Sequence, residues 1–123
     1  MSKETFGAGK ISGVPYSPGA KSGGMVFVSG QLGLADGKLV EGGIGPETRQ
    51  CLENLKGVLH AGGATLDDVV MVNIYVTDIK NEFAAMNAVY GEYFVDNPPA
   101  RATVEVSGLA LGAVVEIAAI AVL

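Results

Sequence analysis

The sequence predicts an α+β fold, in which a mixed β-sheet has two helices packed on one face. Two observations support this prediction. Apolar residues recur at steps of three and four in stretches 47–61 and 81–94, as in amphipathic helices, and strand-like apolar runs precede, separate and follow them. The order is β, β, α, β, α, β, β, with one β-α-β unit in the middle. We expect residues 1–123 to form one domain, because this length buries a core.

The segments before the first helix are short and are separated by glycine and proline. They comprise a strand within 3–9, a loop at 13–19, a strand at 24–32, and a loop or short hairpin at 33–45. Tyr16, in the first loop, either lines a pocket or covers the edge of the core. Alternation places Ser29 and Gln31 on the same face of the second strand. They either border a polar pocket or hydrogen-bond to their own turn.

Each helical stretch carries one apolar stripe. Pro46 suits the first position of the first helix, and Gly62-Gly63 end it. Its stripe includes Cys51, which we expect to be a buried small side chain rather than a nucleophile. The second stripe consists of Phe83, Met86, Tyr90 and Phe94. Asn87 lies on the flank of this stripe, where it either reaches a neighbouring site or faces solvent.

The segment between the helices predicts a turn followed by a strand. Thr65-Leu-Asp-Asp68 has the spacing of a capping box, in which two side chains bond each other's backbone. Val69–Val76 is almost continuously apolar. A strand of this kind is buried on both faces, so we expect it at the centre of the sheet.

Two ionisable residues lie in the apolar C-terminal part of the chain. We expect 99–106 and 113–122 to pair as a hairpin, in a register that places Arg101, Thr103 and Glu116 on one sheet face. The guanidinium of Arg101 suits a carboxylate, which it can hold with two parallel hydrogen bonds. Desolvation would raise the pKa of Glu116 and make it a candidate proton carrier. A structural ion pair, or a Glu116 that faces solvent, is an equally open alternative.

The uncovered face of the predicted sheet indicates self-association. Val104 and Val106, with Val115 and Ile117, would be exposed there in a monomer. An apolar surface of this kind predicts a homo-oligomer whose open sheet faces pack together.

Composition excludes several classes of protein. The net charge is −5 and the eight basic residues are scattered, which argues against binding to nucleic acid or to a membrane surface. The apolar run 113–123 is too short for a membrane span, and residues 1–6 have no apolar signal core, so we expect a cytoplasmic protein. One cysteine allows no internal disulfide, and one histidine allows no His-based metal site.

Several separated motifs together resemble one family. They are Pro15-Tyr-Ser17, Val28-Ser-Gly-Gln31, Thr48-Arg-Gln50 with Leu52-Glu-Asn-Leu55, Asn87 followed by Tyr90, Pro99-Ala-Arg101 and Val115-Glu-Ile117. In this order and spacing, the chain is similar to the RidA (YjgF) reactive intermediate deaminases over essentially its whole length. Thr103 departs from the frequent cysteine of the family, and Leu109-Ala-Leu-Gly112 replaces its usual Leu-Pro turn.

The resemblance implies a homotrimer of chorismate-mutase-like subunits with sites between subunits. It implies hydrolysis of 2-imino or enamino acids, such as 2-aminoacrylate and 2-iminobutanoate, to 2-oxo acids and ammonia without a cofactor or metal. Arg101 would hold the substrate carboxylate and Glu116 would activate water. The other implied pocket residues are Tyr16, Ser29, Gln31, Asn87, Ala102 and Thr103.

Two other functions use the same sequence features. A non-catalytic protein that binds 2-oxo acids and acts through a partner would need almost the same residues. An endoribonuclease, an activity sometimes attached to this family, is disfavoured by the acidic balance and by the lack of a basic stripe.

Overall fold

The computed structural model describes residues 2–123, which form a six-stranded sheet, a small hairpin and two helices. The strands are β1 Glu4–Phe6, β2 Gly19–Ser22, β3 Met25–Gln31, β4 Leu34–Ala35, β5 Lys38–Leu39, β6 Val69–Val76, β7 Ala100–Glu105 and β8 Val115–Val122. The helices are α1 Ile44–Ala61 and α2 Ile79–Tyr93. The sheet order is β1-β2-β3-β8-β6-β7, and β4 pairs with β5 separately. The predicted α+β class is confirmed.

The core lies between one face of the sheet and the two helices. Strand residues such as Val72, Ile74 and Ile117 are fully buried there against Leu55 of α1 and Met86 of α2. Side chains alternate between the two faces of a strand, so their neighbours in sequence lie on the other face. We call the face with the helices the helix face and the other the open face.

The open face carries apolar side chains, although not all of those predicted. Val104 is exposed, as expected, together with Met25, Phe27 and Val122. Val115 and Ile117 are instead fully buried on the helix face, so their predicted exposure is wrong. The alternation of β8 puts its even-numbered residues, Glu116 among them, on the open face.

The predicted hairpin between 99–106 and 113–122 is wrong. β6 lies between β7 and β8, parallel to the first and antiparallel to the second. The crossover through α2 returns the chain in the direction of β6, which makes β7 its parallel neighbour. The other edge of β6 is then free for β8. β6 is therefore an interior strand, but β3 and β8 occupy the centre predicted for it.

Two features near the N-terminus were not predicted. Gly19–Ser22 forms β2, which pairs with both β1 and β3, although the sequence predicts the end of a loop at this point. A β-bulge interrupts β3. Val28 pairs with Ala119 and Gln31 pairs with Ile117, so β3 advances three residues where β8 advances two. The bulge places Gln31 on the helix face with its partner Ile117, so the prediction that Gln31 shares a face with Ser29 is wrong.

The helices follow their apolar stripes, with small differences at the ends. α1 begins at Ile44, two residues before Pro46, and ends before Gly62. Cys51 is fully buried, as predicted. Met86 and Tyr90 of α2 and Phe94, which follows the helix, are buried, but Phe83 is 40% exposed, so its predicted burial is wrong. The capping box of Thr65 and Asp68 is confirmed.

Two valines give a test of the core. Val76 is fully buried and Val95 is 72% exposed. We expect Val76→Ala to lower the free energy of unfolding by about 2 kcal/mol, because it removes buried methyl groups and leaves a cavity. Val95→Ala, the matched control, should change it by less than about 0.5 kcal/mol. Denaturant unfolding of both variants measures the difference, and equal effects would contradict the core described here.

Candidate functional site

Arg101 lies on the helix face of edge strand β7, in register with Val72 and Ala119. Its guanidinium carbon is 4.8 Å from the centre of the Tyr90 ring and 5.8 Å from that of Phe83, both within cation–π range. The two ion pairs within residues 2–123 are Arg49–Glu92 and Lys56–Glu53. The described chain therefore gives Arg101 no carboxylate partner, and the alternative of an ion pair with Glu116 is wrong.

Three buried polar atoms around Arg101 have no hydrogen-bond partner within residues 2–123. They are Asn87 Oδ1, the Tyr90 hydroxyl and Thr103 Oγ1. Thr103 is two residues along β7 on the same face, and Asn87 lies between Phe83 and Tyr90 along α2. We call Asn87, Tyr90, Arg101 and Thr103 the Arg101 cluster. Buried polar atoms are normally satisfied, so three of them beside an unpaired guanidinium indicate hydrogen-bonding capacity that residues 2–123 leave unused.

The hydroxyl of Tyr90 stays protonated in this environment. Burial raises the pKa of Tyr90, and the charge and contact of Arg101 oppose that rise only in part. The cluster therefore offers the N–H donors of Arg101 and the O–H donors of Tyr90 and Thr103, which suit an anion, whereas Asn87 Oδ1 is an acceptor.

Glu116 lies on the open face of β8, in register with Tyr75. Its carboxylate rests on the bare backbone of Gly30 in the β3 bulge, because a side chain at position 30 would overlap the carboxylate. Partial burial raises the pKa of Glu116 above its usual range. A carboxyl group in this setting can take up and release a proton.

Arg101 and Glu116 lie on opposite faces of the sheet, so the prediction that they share a face is wrong. Arg101 is in register with Val72, and Glu116 with Tyr75, an odd number of residues apart on β6. Thr103 is in register with Ile117 and not with Glu116. One chain therefore holds the two residues apart, with the sheet between them.

The other predicted site residues lie outside the Arg101 cluster. Ser29 Oγ donates to the carbonyl of Ser17 at 2.6 Å, in the loop before β2, so it bonds neither to its own turn nor to the Arg101 cluster. Tyr16 accepts a hydrogen bond from the backbone N–H of Ile11 at 2.8 Å and so stabilises its own loop. Gln31 donates to the carbonyl of Ser29. Ala102 is exposed on the open face of β7.

Two clefts of the chain lie away from Arg101 and Glu116. One, of about 640 Å³, is bordered by Lys10, Gln31, Asn54 and Leu111, and the other, of about 590 Å³, runs along the second half of α1 beside Tyr93. Neither contains Arg101 or Glu116. In residues 2–123, no group of three or more His, Cys, Asp or Glu side chains is placed to bind a metal ion. None of the described helices is long and apolar enough to cross a membrane.

Sequence reasoning missed one buried acid near the site. Glu47, in the first turn of α1, is 4% exposed, and its Oε1 accepts a hydrogen bond from the backbone N–H of Val114 at 2.9 Å. It thereby holds the segment that leads into β8 and Glu116. Burial is the main cause that raises the pKa of Glu47; the Val114 hydrogen bond opposes it and the charge of Glu82 adds to it. A single acid in a helix gives no sequence signal for this role.

The chain matches the family model described as Endoribonuclease L-PSP over residues 10–123. The RutC family protein PH0854 of Pyrococcus horikoshii is 47% identical over 109 residues, which cover 87% of this chain and 86% of that protein. Mitochondrial protein mmf2 of Schizosaccharomyces pombe is 46% identical over 125 residues, covering 98% of both. The crystal structure of the YjgF gene product of E. coli has a TM-score of 0.88 and 32% identity, with 97% of this chain and 98% of that chain covered. Because one relative is mitochondrial, the cytoplasmic location stays a prediction.

Glu47 allows a test that separates its hydrogen bond from its charge. A raised pKa means that the folded state favours the neutral acid, so this contribution to stability is present at low pH and is lost as pH rises through the folded pKa. We expect Glu47→Gln, which keeps an acceptor for Val114, to be at least as stable as the wild type at pH 7. The advantage should vanish near pH 4.

Glu47→Ala is the comparison for the hydrogen bond. It leaves the Val114 N–H without an acceptor and should lower the free energy of unfolding by about 1–3 kcal/mol at pH 7. Denaturant unfolding across this pH range measures both effects. A Gln variant that is as unstable as the Ala variant would contradict the assignment.

Proposed function

Because the chain belongs to the Endoribonuclease L-PSP family, also known as the YjgF/RidA family, we propose that it hydrolyses 2-imino and enamino acids to 2-oxo acids and ammonia. The observation that carries the proposal is the Arg101 cluster, in which an unpaired guanidinium lies beside buried polar atoms without partners. These groups suit the carboxylate that 2-aminoacrylate and 2-iminobutanoate share. The proposed activity is that of a deaminating hydrolase.

Arg101 binds and orients the substrate. Its planar donor set matches a carboxylate with two parallel N–H···O bonds, which fix the plane of the group as well as its position. Asn87 and Thr103 supply further hydrogen-bonding atoms beside it. Binding in one orientation brings C2 of the imine to a defined place, which is most of what an already electrophilic carbon requires.

Glu116 moves protons. As a carboxylate it accepts a proton from a water molecule whose oxygen attacks C2, so that a C–O bond forms and the C=N double bond becomes single. The neutral Glu116 then returns the proton to nitrogen. The adduct at this point carries an OH and an NH2 group on C2. Glu116 takes the proton of this hydroxyl and passes it to the nitrogen, the C–N bond breaks as the C=O double bond forms, and ammonia leaves the oxo acid. The raised pKa of Glu116 brings it closer to the working pH, which suits a group that both accepts and donates.

A site with both residues needs two copies of the chain, because one chain holds Arg101 and Glu116 on opposite faces. The open face around Glu116 exposes Phe27, Val104 and Val122 to solvent in the single chain. A second copy that covers this face can bring its own Arg101 to Glu116. The homotrimer with sites between subunits is the form that we propose.

The alternative function is that of a protein that binds 2-oxo acids without turning them over. It would use the same residues, since the Arg101 cluster alone suits a 2-oxo acid. Endoribonuclease activity, which the family description mentions, is not supported by the charge of this chain: the net charge is −5. RNA binding depends on clusters of Lys and Arg that the sequence lacks.

Arg101 gives the first functional test. With threonine dehydratase as the source of 2-iminobutanoate and semicarbazide as the trap, the wild type should lower the rate of semicarbazone formation. We expect Arg101→Ala to lose about 100-fold in kcat/KM, because the substrate carboxylate loses its charged donors. Arg101→Lys should retain little of the activity, since it keeps the charge but not the paired N–H donors.

Arg49→Ala is the matched control, because Arg49 is the other arginine of the chain and forms an exposed ion pair with Glu92. It should compete with the trap like the wild type. Equal trapping by wild type and Arg101→Ala would overturn the proposed activity. Saturable binding of 2-oxobutanoate by a wild type without turnover would establish the binding protein instead.

The division of the site between copies gives the second test. Arg101→Ala and Glu116→Gln should each be inactive alone. When they are unfolded and refolded together at equal amounts, about a quarter of the wild-type activity should return, because one in four random neighbour pairs combines an intact Arg101 with an intact Glu116. Each variant refolded alone is the control. A mixed oligomer that stays inactive would contradict a site made by two copies.

A further inference from the structure

The guanidinium of Arg101 is placed by two aromatic rings that differ in rigidity. Tyr90 is 6% exposed, and its ring also packs against that of Phe94, with ring centres 4.8 Å apart. Phe83 is 40% exposed, and its ring centre is 1 Å farther from the guanidinium carbon than that of Tyr90 (5.8 Å against 4.8 Å). Tyr90 is therefore the ring with a fixed position and the closer contact.

Arg101 has few other restraints. It projects from an edge strand, and it belongs to neither ion pair within residues 2–123. A long side chain of this kind samples many rotamers, and a ligand that binds it must pay for the loss of that freedom. An aromatic face reduces that freedom before the ligand arrives, because the flat guanidinium stacks on it and keeps its N–H edge turned outward.

We propose that Tyr90 is a positioning residue for Arg101, whose ring face holds the guanidinium ready to receive the substrate carboxylate with two parallel hydrogen bonds. The identity of the substrate rests on the proposed function, whereas the stacking does not. The Tyr90 hydroxyl also approaches Arg101, but we assign the role to the ring, so Tyr90→Phe should retain it. The place of Tyr90 in the apolar stripe of α2 predicts only that it is a core residue. If Tyr90 had only that structural role, its replacement would not change the Arg101 signal or the binding of a carboxylate selectively.

The chain offers a direct measurement of the stacking, because it contains two arginines and therefore two Nε–H signals in an NMR spectrum. Arg49→Lys assigns them. We expect the Arg101 signal of the wild type to be shifted upfield by the ring current and to show restricted motion. It should stay so in Tyr90→Phe and move to the position of a free arginine in Tyr90→Leu. A mobile, unshifted Arg101 signal in the wild type would overturn the inference without any variant.

Ligand binding then separates positioning from structural damage. Calorimetric titration uses 2-oxobutanoate, which has the carboxylate, and 2-oxobutanamide, which lacks its charge. We expect Tyr90→Leu to weaken binding of 2-oxobutanoate about tenfold and to leave binding of the amide unchanged. Phe83→Leu should have a smaller effect. In turnover, KM should rise in Tyr90→Leu with kcat nearly unchanged, since the carboxylate is held in both ground and transition states.

The outcomes distinguish this inference from the proposed function. Equal binding of 2-oxobutanoate by wild type and Tyr90→Leu, or equal weakening of acid and amide, would overturn the role of Tyr90 while leaving imine hydrolysis intact. A wild type that neither binds the acid nor competes with semicarbazide would instead overturn the proposed function, and the NMR signals would still decide the stacking. Tyr90→Met replaces Tyr90→Leu if the latter does not fold.

Discussion

β6 pairs with β7 on one edge and with β8 on the other, and this arrangement sets the position of every candidate functional residue. Its residues Val72, Ile74 and Val76 are fully buried against the helices. A register slip of one residue would expose all three on the open face, so the pairing is strongly specified. Because β7 and β8 take their registers from the same strand, Arg101 must point to α2 and Glu116 must point away from it.

The helices could be predicted from sequence because their signal is local. Spacing of apolar residues, Gly62-Gly63 and the Thr65–Asp68 capping box act within a few residues of the chain, and they predict the helices correctly apart from small differences at the ends and the exposure of Phe83. Strand order has no such signal. A hairpin between β7 and β8 is the simplest connection of two neighbouring strands, and only the parallel return through α2 explains why β6 separates them. The β3 bulge likewise depends on cross-strand pairing, so alternation placed Gln31 on the wrong face.

The unusual residues of the candidate site could be found from sequence, but their surroundings could not. Arg101 and Glu116 stand out because ionisable groups are rare in apolar strands. Tyr90 gives no such signal, since an aromatic at helical spacing is an ordinary core residue. Its ring is indeed buried, and the contact with Arg101 depends on β7 lying beside α2. The role of Glu47 could not be predicted from sequence either, because its hydrogen-bond partner Val114 is distant in the chain.

Separation of Arg101 and Glu116 within one chain has a chemical consequence for the proposed site. A direct ion pair would lower the pKa of Glu116 and occupy the donors of Arg101, so neither group could act on a substrate. In the single chain, burial is the cause that raises the pKa of Glu116. In the proposed site made by two copies, we expect the substrate carboxylate on Arg101 to offset the guanidinium charge, so that the pKa of Glu116 is not lowered by it. Substrate binding would thus keep the pKa of Glu116 in the range where the group can both accept and donate a proton. In an empty site, the uncompensated charge of Arg101 would lower that pKa.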